Sequence, residues 1–165
     1  MGGVEGTDAA VALVTRQGEA TAYVCGGPSS YEALSRWFPV RLEAGLLSGD
    51  RDGWALRGAV ASGVLTGELF EPGGASHPFR AELARDGTVA GLYEANDDGC
   101  RTGAIVLQAG PAEAPRVQGT WCSRDGLKAQ VTPARPAALR GQGFDLEVQA
   151  GAALRRLHVS PVFGE

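Results

Sequence analysis

The sequence predicts an all-β protein: an antiparallel meander of about 10–12 short strands, closed or nearly closed into a barrel, with a two-sheet sandwich as the alternative. Three observations predict it. Apolar and polar residues alternate with period two in one segment after another, as half-buried strands do. The links between segments are roughly two to six residues, too short for a parallel crossover, so neighbours run antiparallel. Glycine recurs inside the strand candidates, at Gly45, Gly58, Gly67, Gly91, Gly103 and Gly119. There it weakens a strand but permits strong curvature. Closure follows because an open meander of this length would leave exposed edges.

The elements follow in order. Residues 1–7, MGGVEGT, are polar and glycine-rich and read as a flexible N-terminal segment. Residues 8–165 read as a single all-β domain, with a sub-boundary near 110–115. VALVT (11–15) and ATAYVC (20–25) flank a turn at Gln17-Gly18. Ser29-Ser30-Tyr31-Glu32 has capping-box spacing, and YEALSRWF follows, so one short helix is expected near 30–38, stopped by Pro39. Val40, Leu42, Ala44 and Leu46 then alternate as one strand over 40–47, and residues 48–53 turn. Trp54, Leu56 and Val60 share a face of 54–60. After a turn at 61–63, strand 64–70 returns. Segments 77–84 and 88–95 flank Arg85-Asp86-Gly87, and Asn96-Asp97-Asp98-Gly99 turns into 100–108. The last strands are 116–122, 127–132, 144–149 and 154–160, with Pro133 and Pro136 marking an irregular link.

Composition excludes several function classes. Hydrophobic residues at 44% and charged residues at 21% suit a packed core and argue against disorder. Net charge is −4 and the pI is about 5.2, which argues against a nucleic-acid partner. No apolar run approaches the roughly 18–20 residues of a membrane helix, so no transmembrane segment is expected. All basic residues except Lys128 are arginine, and Ile105 is the sole isoleucine. That skew fits a GC-rich genome, so the arginines alone say little about ligands.

The cysteines are Cys25, Cys100 and Cys122. A hairpin of 100–108 with 116–122 about residue 112 would set Thr102 opposite Cys122 and Cys100 on its diagonal. Cys100–Cys122 is therefore the disulfide candidate, with three separate buried thiols as the alternative. A bond would argue for an oxidising compartment. Cys-x-x-Cys spacing is absent, and His77 and His158 are the only histidines, so neither a metal site nor a cofactor is expected.

No catalytic residues are assigned. Nothing in the spacing ties Cys25 to a histidine, and there is no G-x-S-x-G elbow. Asp50-Arg51-Asp52-Gly53 and Asn96–Gly99 lack the closing glutamate of a calcium loop and read as turns. Glu43, Glu68, Glu82 and Glu147 lie opposite the apolar faces of their strands and point to solvent. The aromatics Tyr23, Trp54, Tyr93 and Trp121 are the ligand-binding candidates. They pack a core, or they line a barrel interior or mouth that takes an apolar or sugar-like ligand.

Two stretches carry a resemblance: Ala22-Tyr23-Val24-Cys25-Gly26-Gly27, and Phe79-Arg80-Ala81-Glu82-Leu83-Ala84 followed by Ala90-Gly91-Leu92-Tyr93. Their order resembles small secreted or lipoprotein-type β-domains of high-GC bacteria, over residues 8–108. That group carries no assigned activity, so the resemblance implies a setting, not a reaction. The helix near 30–38 and the residues after 110 depart from it.

The sequence thus reads as a non-enzymatic bacterial envelope or secreted domain, acting as an interaction or structural module with a protein or small-molecule partner. A small-ligand-binding β-barrel is the first alternative. A hydrolase with a non-local active site is the second. The expected location is extracellular or envelope if a leader is removed, and cytoplasmic otherwise.

Overall fold

The strands close into two barrels rather than one. A computed structural model describes residues 1–97, 99–133 and 142–163. Within them the first barrel runs β1 (Gly2–Val4), β2 (Ala10–Arg16), β3 (Glu19–Cys25), β4 (Arg36–Glu43), β5 (Leu46–Arg51), β6 (Trp54–Ala61), β7 (Val64–Phe70) and β8 (Ser76–Glu82). The second runs β9 (Gly91–Asp97), β10 (Cys100–Leu107), β11 (Arg116–Cys122), β12 (Lys128–Pro133), β13 (Phe144–Ala150) and β14 (Ala153–Pro161). Every pairing is antiparallel, and within each barrel consecutive strands are neighbours. β1 closes the first barrel by pairing Gly2 with Val11 on one side and with Ala81 on the other. Ser160 opposite Glu94 closes the second.

Three sequence expectations shift. The opening residues read as flexible supply β1. The break falls at residues 83–90, between β8 and β9, rather than near 110–115. The β10–β11 register pairs Gly103 with Thr120, one residue off the pairing of Thr102 with Cys122. Pro136 and Asp98 lie outside the described residues.

Both barrels are filled. Val11, Val24, Phe38, Leu56, Leu69 and Phe79 meet inside the first, each no more than 2% exposed. Tyr93, Val106, Trp121, Leu146, Val148 and Val159 meet inside the second. Side chains of this size leave the interiors to protein atoms, which is the drive for closure.

Turn chemistry shapes the first barrel. Gln17-Gly18, Ala44-Gly45, Asp52-Gly53 and Ser62-Gly63 all have positive φ at both residues, the tight two-residue hairpin whose twist suits the flanking strands. The Ala44-Gly45 turn splits the single strand expected over 40–47. Alanine seldom adopts positive φ, so the dipeptide carries a weak turn signal. The turn reverses the faces beyond it: Leu47 enters the core at 2% exposure and Leu46 faces solvent at 65%. Likewise the turn expected over 48–53 shrinks to Asp52-Gly53. Ala44→Asn should relieve the left-handed strain and raise stability by about 0.5–1 kcal/mol in urea unfolding. An unchanged midpoint would contradict that reading.

The helix is one turn, α1 (Tyr31–Leu34), not a stretch over 30–38. Ser30 makes no capping bond. Its hydroxyl instead bonds the Asp8 carboxylate, which also accepts from the backbone N–H of Ser29 at 2.7 Å and of Gly27 at 3.2 Å. These bonds, the Ser30 hydroxyl first, hold the Asp8 carboxyl below its ordinary pKa. Ser35 is extended, and Arg36–Glu43 is a strand. Pro39 sits within it, paired with Thr21 on β3 and one residue beyond the β5 ladder, which ends at Val40 opposite Gly49.

Candidate functional site

The site forms where the barrels meet. On β2, β3, β9 and β10 both faces are buried. One face points into its own barrel, and the other forms a seam of Ala10, Ala12, Tyr23, Cys25, Leu92 and Ile105, joined by Trp37 of β4 and by Val162 just after β14. Gly103 lies directly under the Tyr23 ring: a Cβ added there would come within 2.6 Å of it. Polar side chains tie the seam. The Gln118 amide donates to the carbonyls of Cys25 at 2.5 Å and Asp8 at 3.0 Å. The Trp37 indole N–H donates to the Arg101 carbonyl at 2.9 Å.

At one end the seam opens into a cleft of about 330 Å³, within the size range of small-ligand sites. Its aromatic floor is Tyr23 against Trp37, with ring centroids 4.6 Å apart. Cys100 and Cys122 line it and are joined by a disulfide, with Cα atoms 5.7 Å apart. That bond fastens the start of β10 to the end of β11.

Cations surround the cleft. Arg36, Arg51, Arg101 and Lys128 line it, against the single carboxylate of Asp52. In a chain of net charge −4 this is a local reversal of sign. The Arg101 guanidinium stacks 3.6 Å over Trp37 and bonds Glu94, while Arg36 stacks 3.8 Å over Trp54. Arg36 donates to the carbonyls of Ala33 and Leu34. Lys128 donates to those of Glu32 at 2.7 Å and Ser35 at 3.0 Å. Burial first, and then repulsion from Arg36, lowers the pKa of the Lys128 ammonium. Among the described residues Arg36 and Lys128 form no ion pair with a carboxylate.

Behind the floor lies a buried hydroxyl–thiol network. Ser35 and Thr120 hydroxyls are 2.8 Å apart, and Cys25 Sγ is 3.6 Å from Thr120 Oγ1. Burial pushes the Cys25 thiol up to about 11, so at neutral pH it is a small apolar side chain and not a nucleophile. Burial likewise holds the Tyr23 phenol well above its ordinary range. His77 bonds Glu71 at 2.7 Å and His158 bonds Asp145 at 2.9 Å. Each histidine is thus occupied by a carboxylate, and the polar groups around the Cys25 thiol are the Gly26 carbonyl and the hydroxyls of Thr120, Tyr23 and Ser35, with no base among them.

Of the four aromatic candidates, Tyr23 lines the cleft and the other three do not. Tyr93 and Trp121 are core residues of the second barrel, each 2% exposed. Their polar tips are satisfied by the Val89 carbonyl and the Asp97 carboxylate. Trp54 packs against the first core beneath Arg36. Sequence reasoning did not single out Trp37, Arg36, Arg101 or Lys128. They come from three strands, β4, β10 and β12, and no local motif joins them.

A second, larger groove of about 650 Å³ runs past Gly2, Gly3, Arg80, Arg85 and Arg116. No aromatic side chain lines it, and Arg80 is paired with Glu82. No helix of the described residues is long and apolar enough to cross a membrane. No family model, curated protein or solved structure matches the chain.

Proposed function

We propose that the chain is a non-enzymatic module of the bacterial envelope, or a secreted one, that binds its partner in the cleft at the barrel seam. The build of that cleft carries the reading. Two filled barrels give it rigid walls, an aromatic pair gives it a floor, and fixed cations give it polarity. Binding sites of this kind are concave and preformed, with few polar groups in set positions. The Cys100–Cys122 bond supports an oxidising setting, because cytosolic reductants keep most thiols reduced. The inert Cys25 thiol and the carboxylate-bound histidines support binding rather than catalysis.

The compartment is tested on protein isolated from its native host, denatured, alkylated and weighed with and without reductant. One alkylated cysteine before reduction and three after it is the expected result, from Cys25 and the bonded pair. Three alkylated thiols before reduction would overturn the envelope assignment.

A further inference from the structure

We infer that the seam cleft is a site for a small organic anion, a carboxylate carried on a flat apolar body. The inference rests on the binding-module reading and adds the class of ligand. Two of the cations that line the cleft, Arg36 and Lys128, are held in place by neutral groups, while Arg101 is paired with Glu94 and Arg51 with Asp52. Carbonyls of the turn Glu32–Ser35 take two donors from Lys128 and two from Arg36. Those bonds orient the heads and leave their charge uncancelled.

Spare donors remain. A guanidinium carries five N–H groups and an ammonium three. Among the described residues, the hydrogen bonds of Arg36, Arg101 and Lys128 leave at least one N–H of each head unused. Both arginines lie on indole faces, 3.8 and 3.6 Å from the ring centroids. Stacking of this kind fixes a planar donor fork before a ligand arrives, so less side-chain entropy is lost on binding. A carboxylate is the group that matches such a fork.

The apolar part of the ligand follows from the floor and wall. Trp37, Tyr23 and the Cys100–Cys122 bridge present rings and sulfur, not donors, to the cleft. The hydroxyls of Ser35 and Thr120 are bonded to each other. A sugar would need several free hydroxyl partners, and a bare inorganic anion would leave the half-buried disulfide wall uncovered. The turn carbonyls alone would explain Lys128 and Arg36 as caps of α1. They do not explain why Arg51 and Arg101, each already paired with a carboxylate, converge on the same opening as these two cations, unpaired among the described residues.

The test is a titration of the full chain, followed by the Trp37 indole N–H and the backbone amides of Ser123 and Gly126. Benzoate is the probe, and benzamide is its neutral counterpart of the same shape. Benzoate in the millimolar range is expected to shift these signals, and benzamide is not. Lys128→Gln keeps an amide donor for the turn carbonyls and should weaken benzoate about tenfold. Arg51→Glu changes an exposed rim charge without disturbing packing and should weaken it about threefold. Equal response to both probes would overturn the anion class and leave a binding cleft. No response to either, in folded protein, would overturn the class and the binding-module reading together. Benzoate affinity unchanged in both variants would also overturn the proposal.

Discussion

Gly103→Ala is expected to lower stability by about 2 kcal/mol, although alanine ordinarily suits a strand better than glycine. Gly103 lies outside the positive-φ residues, so conformation does not require glycine there. Space does. A Cβ would come within 2.6 Å of two Tyr23 ring atoms, and that ring is 2% exposed and already packed on Trp37. The ring has no empty volume to move into, so the barrels must part slightly. Tyr23→Ala removes the obstacle and should itself cost about 3–5 kcal/mol through the cavity it leaves. The double variant should then be no less stable than Tyr23→Ala alone. Denaturant unfolding of all four proteins gives the coupling directly. Additive losses would show that Gly103 and Tyr23 do not touch.

Removing the disulfide, by Cys100→Ala with Cys122→Ala, should cost about 3 kcal/mol, from the chain entropy of a loop with 22 residues of sequence separation. The loss should not spread evenly. The bond joins β10 and β11 of the second barrel, so amides of β10–β12 should exchange faster while those of β5–β7 keep their protection. Urea unfolding reads the total, and hydrogen exchange reads the distribution. A double alanine variant as stable as the parent would contradict the account of that bond.

Much of the strand pattern is legible in the sequence because alternation reports burial on one face. It misleads where a turn lacks a strong signal, as at Ala44-Gly45, and where both faces are buried. The seam strands do carry a mark: AVALV in β2, TAYVC in β3 and AIVL in β10 are runs rather than alternations. A continuous apolar run denotes a strand covered on both sides. Set beside the Arg85-Asp86-Gly87 turn signal, those runs were the available trace of a second barrel. The site was less legible. Arg36, Arg101 and Lys128 are dispersed in the chain, and in an arginine-rich composition nothing distinguishes them from solvated side chains. Tyr23 could be named as an aromatic candidate, but its partners Trp37 and Gly103 depend on how the barrels dock.

The central claim is that docking, because the cleft exists only if the barrels meet as described. The most direct measurement is the nuclear Overhauser effect between the Tyr23 ring protons and the α-protons of Gly103 in the full chain. The account expects a strong cross-peak, with the glycine α-protons shifted by the ring lying on them. Folded protein with two intact barrels and no such cross-peak would contradict it, and the cleft with it.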